Sequence, residues 1–276
     1  MNFQIVPAYD VSFAEQANVF NDAFAGYVAG SFKMDANSLA VFICGHGVDL
    51  CYSRFARDEN GALASFGFIN RTGNIARLAG MGTVPQLRRS GAAAFLMSHL
   101  LGEAKARGDA AMVLEVIEQN PPAVMLYRSC GFREITRLFG WRIDASRNQS
   151  ATPKLCEIPI IEALALATSL DYPELPWQIS RHAAAKVASG RAFAANNVAV
   201  VTGPPSPAAV RIHAFLGCDG KNWEPLRRLT AALLQKFPNQ EFFAPAVFPE
   251  RFGTEIFEPL KFAKEPLSQF LMRKDL

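Results

Sequence analysis

The feature that most constrains the fold is a change of hydrophobic period in the first half of the chain. From residue 50 to residue 84 apolar and polar residues alternate, which indicates β-strands with one buried face. Two turn sequences, Asn60-Gly61 and Thr72-Gly73-Asn74, interrupt this alternation, and Asn-Gly is typical of a tight hairpin. We therefore predict an antiparallel meander of three strands over residues 50–58, 62–70 and 75–84.

Helical patterns flank the meander on both sides. Ser12 followed by Glu15 has the spacing of a capping box, and the apolar residues after it recur at helical intervals. An apolar stretch over residues 111–117 indicates a buried strand. The predicted helices cover residues 12–27, 35–44, 91–107 and 123–129, with a first strand over 3–7 and a final strand or strand pair over 132–143.

The second half repeats this order of elements more faintly. Helices are predicted over residues 177–189 and 223–237, and strands within 192–216, 241–248 and 266–272. The polar stretch from Asp144 to Lys154 has no periodicity, which is typical of a linker. The predicted division is a domain over residues 1–146, a linker over 147–154 and a second domain over 155–276.

Composition excludes several classes of function. A formal net charge of +3 gives no reason to expect a nucleic-acid partner. The five cysteines form no CxxC pair and the four histidines are scattered, so we expect neither a metal site nor a disulfide framework. The sequence shows no signal-peptide pattern and no unbroken apolar run of about 20 residues. We expect a cytoplasmic protein without a membrane partner, as a monomer or a homodimer.

The loop between the third predicted strand and the next helix has the character of an anion site. Arg88 and Arg89 supply positive charge, Ser90 can cap the helix or bind a phosphate oxygen, and Gly91 lets a ligand approach the backbone. A helix N-terminus with open N–H groups attracts phosphates. These residues predict a pyrophosphate cradle. The alternative is an ordinary strand-to-helix loop with two solvated arginines.

Two motifs in this region resemble those of the Gcn5-related N-acetyltransferase (GNAT) superfamily. The first is the acetyl-CoA motif V-x-P-x-x-R/Q-x-x-G-x-G/A, which the chain matches in a form one residue shorter. The second is L-x-V-x-x-x-N-x-x-A-x-x-L-Y-x-x-x-G-F, and every place in it is filled. The matching residues are Val84, Pro85, Arg88, Gly91 and Ala93 in the first motif, and Leu114, Val116, Asn120, Ala123, Leu126, Tyr127, Gly131 and Phe132 in the second.

The resemblance covers roughly Met1 to Asp144 and implies an α/β (α+β) GNAT fold present twice in tandem, each copy a central mixed, mostly antiparallel sheet flanked by helices. It implies acetyl-CoA as co-substrate, held in a split between two strands. A β-bulge near residues 81–84 would aim an N–H at the thioester carbonyl. The implied cofactor-binding residues are Met81, Thr83, Val84, Arg88, Arg89, Ser90, Gly91, Ala92, Ala93, Asn120 and Tyr127.

Two departures from the family pattern stand out. Arg89 occupies a place where glycine is frequent, and Ala93 the place of the second glycine. At the equivalent helix start in the second half, Glu224 and Pro225 put negative charge where a pyrophosphate would lie. The resemblance therefore implies one CoA-competent domain and one degenerate copy.

The resemblance also implies catalytic roles. Tyr127 would protonate the departing CoA thiolate, its alternative being an aromatic packed under the short helix. Glu115, the one charge in an apolar strand, is the candidate base for the amine, its alternative being a salt bridge to Arg77. Water relays also serve as bases in this superfamily. Asn120 would tie the strand end to the cofactor or cap the helix.

The predicted function is transfer of an acetyl group from acetyl-CoA to a primary amine, on a small molecule or a peptide N-terminus, by direct attack in a ternary complex. One alternative is a non-catalytic CoA-binding or scaffold protein. A second places the acceptor site in the second half, near Trp177 and Trp223. A third lets the second half replace the partner subunit of a homodimer.

Overall fold

The computed structural model describes residues 2–144, 155–166, 175–187, 189–217 and 220–276. The chain forms two compact units. The first unit comprises Met1–Ile135 together with Leu271–Leu276, and the second comprises Thr136–Phe270. The first unit therefore takes its last residues from the far end of the chain. The predicted linker over residues 147–154 lies outside the described residues, and the predicted domain bounds stay a prediction.

The first unit begins with a helix whose start follows from local sequence. The Ser12 hydroxyl accepts from the Glu15 N–H, and the Glu15 carboxylate accepts from the Ser12 N–H, so the predicted capping box is present. The elements of this unit are β1 (Gln4–Pro7), α1 (Phe13–Ala23), α2 (Ala36–Gly45), β2 (Asp49–Arg57), β3 (Leu63–Thr72), β4 (Ile75–Thr83), α3 (Ala92–Ala106), β5 (Ala111–Ile117) and α4 (Pro121–Ser129).

The predicted meander is confirmed as β2, β3 and β4. Consecutive strands from β1 to β4 pair antiparallel, and β5 pairs with β4 in parallel. The last residues of the chain follow β5 in the sheet, where the Leu276 N–H donates to the Ala110 carbonyl at 3.1 Å. The loop between β2 and β3 is longer than a two-residue hairpin. Within it, the Asp58 carboxylate accepts hydrogen bonds from the N–H groups of Asn60 and Ala62, which stabilises the turn.

The core of the first unit lies between α1, α2 and the sheet. Phe20, Phe55, Phe66 and Phe68 are almost fully buried there, and their rings contact one another with centroids 4.8 to 6.5 Å apart. Phe20 of α1 thus packs on Phe66 of β3, whereas Phe13 at the start of the same helix is 36% exposed. This packing fixes the C-terminal end of α1 beside the end of β4.

The second unit has the same kinds of element. Its strands follow the order β12, β6, β11, β10, β9, β8, β7. The β10–β11 pair is parallel, and the pairs β6–β11, β9–β10, β8–β9 and β7–β8 are antiparallel. The elements are β6 (Arg133–Ile143), β7 (Cys156–Ile158), α5 (Ile160–Ala165), α6 (Arg181–Ala184), β8 (Arg191–Ala195), β9 (Val198–Thr202), β10 (Ala209–Leu216), α7 (Glu224–Lys236), β11 (Glu241–Pro249), α8 (Glu250–Phe252) and β12 (Ala263–Asp275).

Several elements of the second unit differ from the predictions, and β7, α5 and α8 were not predicted at all. The helix predicted over residues 177–189 is a 3-10 turn, Trp177–Ile179, followed by the short α6, because Ser180 takes an extended conformation and caps α6. A π-helix over Gly253–Phe257 follows α8 and was not predicted. The residue pattern of a π-turn resembles that of an α-helix, so sequence periodicity does not reveal it.

None of the helices in the described ranges combines the length and the apolar character needed to cross a membrane.

Candidate functional site

The central feature of the site is an opening in the sheet of the first unit. The parallel ladder between β4 and β5 runs from Ile75–Ala111 to Leu78–Leu114 and ends there. Immediately after it, the pairing of β4 with β3 skips one residue, which makes Ala79 a β-bulge. A bulge increases the local twist and turns β4 away from β5. The backbone of β4 beyond Ala79 therefore faces a gap where a strand partner would otherwise lie.

The bulge lies earlier than the sequence predicted. A position near residues 81–84 was expected, whereas the register shift falls at Ala79. Met81 and Thr83 pair regularly with Gly67 and Ser65 of β3 on one edge of β4. The other edge of β4 at these residues therefore faces the gap. A bulge depends on the partner strand as much as on its own residues, which is why spacing alone misplaced it.

Gly82 is the residue of β4 that needs to be glycine. A Cβ at this position would lie 2.7 Å from the Ala23 Cβ and 2.8 Å from a ring carbon of Phe66. No larger residue fits without displacing the core. The close approach holds the end of α1 against the open part of β4.

The predicted phosphate loop follows β4 directly. Val84 is buried and its N–H donates to Ala64, which fixes the start of the loop. Gly91 is the N-cap of α3 in a left-handed conformation with φ of 91°, and a Cβ there would meet open space. By helix geometry the N–H groups of Ala92 and Ala93 have no intrahelical partner. Outside the helix, the Ala92 N–H donates a long hydrogen bond to the Ser90 hydroxyl oxygen, with a donor–acceptor distance of 3.4 Å.

Two side chains of the loop, Arg88 and Ser90, form hydrogen bonds to backbone carbonyls of the protein. Arg88 donates through Nη2 to the Ala23 carbonyl at 3.0 Å, and through Nε to the Thr83 carbonyl at 3.5 Å. Its guanidinium therefore ties α1 to the loop. Ser90 donates to the Leu87 carbonyl at 2.6 Å. Arg89 is exposed and has a φ of 62°, a left-handed conformation that explains why glycine is frequent at this place in the family motif.

Tyr127 lies on α4, behind the open end of β5. It is 7% exposed, and its ring meets Phe132 edge-on with centroids 6.0 Å apart. Burial raises the pKa of the phenol, and Tyr27 and Cys130 raise it further. The predicted proton donor and its alternative, an aromatic packed under α4, are thus both compatible with this position. A phenol with a raised pKa keeps its proton at neutral pH.

Glu115 makes the ion pair that was its predicted alternative role. Its carboxylate accepts from Arg77 Nε at 2.9 and 3.1 Å and pairs with Nη2 at 2.8 Å. Both side chains are about 3% exposed. The pair bridges β4 and β5 next to the last rung of their ladder. It is placed to hold the two strands together just before they separate.

Asn120 is the N-cap of α4, but its side chain makes no capping hydrogen bond. The helix accepts its first bonds on the Asn120 carbonyl, from Ala123 and Val124. The amide is half-buried at the open end of β5.

The second unit repeats this arrangement with different residues. The β10–β11 ladder ends at Arg211–Phe243, and His213 is a bulge between β10 and β9. The helix start that would face a phosphate has Trp223 as its N-cap and then Glu224, which pairs with Arg227 and Arg228. A carboxylate at this place opposes an anion.

Aromatic rings pack where the strands of the second unit separate. The ring centroids are 6.0 Å apart between Phe215 and Phe248, 5.6 Å between Phe248 and Phe252, and 4.8 Å between Phe252 and Trp223. All four residues are buried. The degeneracy of this copy stays a prediction, and these buried rings and the carboxylate of Glu224 are consistent with it.

Two residues of interest were missed by sequence reasoning. Tyr27 lies close enough to Tyr127 to affect its pKa, and nothing local marks it. Phe257 occupies in the second unit the place that Tyr127 has in the first. The signal for Phe257 was present, because Ile256-Phe257-x-x-x-Lys261-Phe262 has the spacing of Leu126-Tyr127-x-x-x-Gly131-Phe132.

Among the described residues, no group of three or more His, Cys, Asp or Glu side chains is arranged to hold a metal ion.

Comparison with known proteins agrees with this geometry. Residues 19–132 match the family model described as the acetyltransferase (GNAT) family. An 85-residue segment, 31% of the chain, is 35% identical to the [ribosomal protein bS18]-alanine N-acetyltransferase of Escherichia coli K12. This segment spans 57% of the length of that relative.

Solved structures resemble the whole chain. A putative acetyltransferase from Pyrococcus horikoshii superposes with a TM-score of 0.64 at 14% identity, over 100% of this chain and 89% of the other. A tandem GNAT protein from the clavulanic acid biosynthesis pathway gives a TM-score of 0.60 at 13% identity, over 99% and 98%. At such low identity the likeness shows the fold alone. Residues 19–132 thus match the GNAT acetyltransferase family, and the fold of the chain as a whole resembles that of GNAT acetyltransferases, among them a tandem GNAT protein.

Proposed function

We propose that the first unit binds acetyl-CoA and transfers its acetyl group to a primary amine, on a small molecule or a peptide N-terminus, by direct attack in a ternary complex. The observation that carries this proposal is the coincidence of three features at one place. The β4–β5 ladder ends at Leu78–Leu114, Ala79 bulges beside it, and α3 begins at Gly91 with open N–H groups.

The residues present fit a CoA-like group. The N–H groups at the start of α3 would hold the pyrophosphate, with Arg89 as the exposed cation beside them. The unpaired edge of β4 at Met81 and Thr83 would pair with the amide-containing arm as an added strand does. Arg88 would act through the loop, since its guanidinium binds the Ala23 and Thr83 carbonyls.

Acetyl-CoA, when bound, supplies an acetyl group activated as a thioester. The amine nitrogen forms the new bond to the acetyl carbon, the carbon–sulfur bond breaks, and the amine loses one proton. We propose that Tyr127, whose phenol is protonated at neutral pH, donates its proton to the departing sulfur and regains a proton from solvent before the next turnover.

The proton from the amine needs an acceptor, and Glu115 was the predicted base. Its ion pair with Arg77 supports a positioning role, in which Glu115 keeps β4 and β5 together below the gap. A water relay to solvent then takes the proton. Holding the two reactants together supplies much of the rate in such a scheme.

The alternative, a CoA-binding protein without turnover, keeps the same cofactor site. It gives no reason for a buried phenol at Tyr127, since a phenylalanine would pack equally well. The second unit shows that substitution, with Phe257 in the corresponding place. We therefore favour the enzyme.

Isothermal titration of acetyl-CoA tests the site. Ala93→Glu places a carboxylate in the first turn of α3. The helix dipole stabilises a negative charge at this position, so the variant should fold, whereas the carboxylate would repel a bound pyrophosphate. We expect an affinity loss of about tenfold or more, the equivalent of one charge-assisted hydrogen bond. Ser98→Glu, exposed and further along the same helix, is the matched control and should leave the affinity unchanged. Equal affinities for both variants would contradict the cradle.

A further inference from the structure

A cavity of about 310 Å³, partly open to solvent, lies at one corner of the second unit. It is bordered by the start of β8, the end of β9, the start of β10 and the residues at the end of α7. Among the described residues that line it, Arg191 is the one charged residue, and the apolar walls are Phe193, Pro204, Pro205, Val210 and Phe237. Small-molecule sites have this character, with apolar walls and few polar groups, and the volume is at the lower end of their range.

The cavity is separate from the place where β10 and β11 part. Ala209 and Val210 line the cavity and belong to the paired start of β10, whereas the ladder ends at Arg211–Phe243. A ligand in this cavity would therefore bind at the other end of β10 from the break in the pairing.

The first unit fills the corresponding corner with its own side chains. The C-cap of α3 is Arg107, and the buried Asp109 carboxylate pairs with both Arg107 and Arg71. In the second unit the C-cap of α7 is Phe237, and Asn239 follows it by the same two residues. The buried carboxylate of the first unit is thus replaced by an amide side chain in the second.

Arg191 is held at the cavity wall with part of its guanidinium unused. Its Nε and Nη2 donate to the Glu157 carboxylate at 2.7 and 2.6 Å, and Nη1 makes no hydrogen bond to any described residue. The guanidinium lies over the rings of Phe193 and Phe237, at 4.9 and 5.3 Å from their centroids. The ion pair and the two rings fix its position, so the N–H groups of Nη1 can bind a ligand without rearrangement.

The charges and donors around the cavity favour an anion. The hydrogen bonds from Arg191 lower the pKa of Glu157, and the charge of Lys236 lowers it further, so two cations lie near this one carboxylate. The Ser206 hydroxyl oxygen accepts from the N–H groups of Ala208 and Ala209, which leaves its own hydrogen to donate. A ligand carboxylate would find donors from Arg191 and Ser206 beside apolar walls.

We propose that this cavity binds a small planar aromatic carboxylate. The carboxylate accepts from Nη1 of Arg191 and from the Ser206 hydroxyl, and the ring packs against Phe237 and Pro204. The proposal concerns the second unit and does not depend on acetyl transfer by the first.

The experiment uses benzoate as the probe and follows the amide resonances of the ¹⁵N-labelled full chain at constant ionic strength. We expect saturable shifts with a Kd of about 1 mM, largest at Gly203, Ser206 and Gln240, which line the cavity. Benzyl alcohol has the ring without the charge, and acetate has the charge without the ring. Each should bind about tenfold more weakly than benzoate.

Two variants test the site itself. Arg191→Gln removes the guanidinium and should weaken benzoate binding by about tenfold. Ala209→Leu fills the cavity while keeping the Arg191–Glu157 pair, and should weaken binding at least as much. Arg228→Gln is the matched control, because Arg228 also pairs with a glutamate of the second unit at 2.7 Å but does not line the cavity.

Localised shifts that both cavity variants lose and the Arg228 variant retains would support the proposal. Equal affinity for benzyl alcohol or acetate would overturn the ligand class. Absence of shifts at these amides up to about 10 mM benzoate, or unchanged binding by the folded Ala209 variant, would overturn the site. If Arg191→Gln fails to fold, the Ala209 variant and the three probes still decide the outcome.

Discussion

Tyr127 in the first unit and Phe257 in the second occupy the same local structure with different chemistry. Each precedes by five residues a phenylalanine whose N–H donates to its carbonyl at 3.0 Å, and each ring contacts that phenylalanine. The residue between them at a positive φ is Gly131 in one case and Lys261 in the other. The fold is retained in both copies, whereas the hydroxyl is present in one alone.

The same contrast holds along the strands. Both units end a parallel ladder and then bulge, at Ala79 and at His213. Beyond the bulge the first unit has Gly80 and Gly82, while the second places the buried Phe215. At Gly82 the missing Cβ lets Ala23 and the Phe66 ring pack directly against the strand. The comparison teaches that both copies keep the same break in the backbone pairing and differ in the volume of the side chains around it.

The largest expected effect comes from converting the first unit toward the second. Tyr127→Phe removes the proposed proton donor, so kcat should fall by about 100-fold or more while the acetyl-CoA affinity stays unchanged. The reverse change, Phe257→Tyr, buries a hydroxyl without a designed partner and should lower the free energy of unfolding by about 1–3 kcal/mol. Steady-state kinetics and denaturant titration measure the two. Normal turnover by the Tyr127 variant would remove the catalytic distinction between the copies.

Glu115 and Arg77 offer the next test. Glu115→Gln removes the carboxylate charge that pairs with the buried Arg77 guanidinium, and breaking one such buried ion pair costs about 3–5 kcal/mol of unfolding free energy. If Glu115 has a positioning role, the pH dependence of kcat keeps its shape in the variant and residual activity remains. A variant that unfolds normally but loses the acidic limb of the pH profile would establish Glu115 as the base.

The two bulge residues should respond differently to acid. Burial first, and then Arg211, lower the pKa of His213 to about 4 from its usual 6.5. The folded state therefore favours the neutral imidazole, and its contribution to stability is present above pH 6.5 and lost as the pH falls toward 4. Hydrogen exchange of β9 and β10 between pH 7 and pH 4 should show this loss.

His213→Gln is the control for that measurement, since glutamine does not titrate. We expect the variant to be less sensitive to pH in this window than the unsubstituted protein. An unchanged pH dependence would assign the acid sensitivity to other groups of the second unit.

The smallest effect concerns the positive-φ positions. Lys261 has a φ of 69°, and a left-handed conformation costs a residue with a Cβ about 1–2 kcal/mol. Lys261→Gly removes that cost. It also raises the conformational entropy of the unfolded chain, which lowers the free energy of unfolding by about 0.4–1 kcal/mol. A net gain of up to about 1 kcal/mol is expected in thermal unfolding. Destabilisation by this change would show that the Lys261 side chain has a packing role that Gly131 lacks.

Much of the first unit could be predicted from its sequence because its signals are local. The Ser12 capping box, the hydrophobic alternation of β2 to β4 and the Gly91 helix start each depend on residues a few positions apart. Those local signals also carried the motif resemblance. The second unit was less accessible, since α6 is short and the π-helix has no distinct period.

The sequence by itself determined the order of elements in the first unit, the loop that leads from β4 to the Gly91 start of α3, and the fainter repeat in the second half. Tertiary structure decided where separate segments meet. It placed Leu271–Leu276 in the first unit, tied Arg88 to the Ala23 carbonyl and paired Glu115 with Arg77. Each of these contacts joins residues that are far apart in the chain, and their free energy depends on packing and burial, which no local pattern encodes.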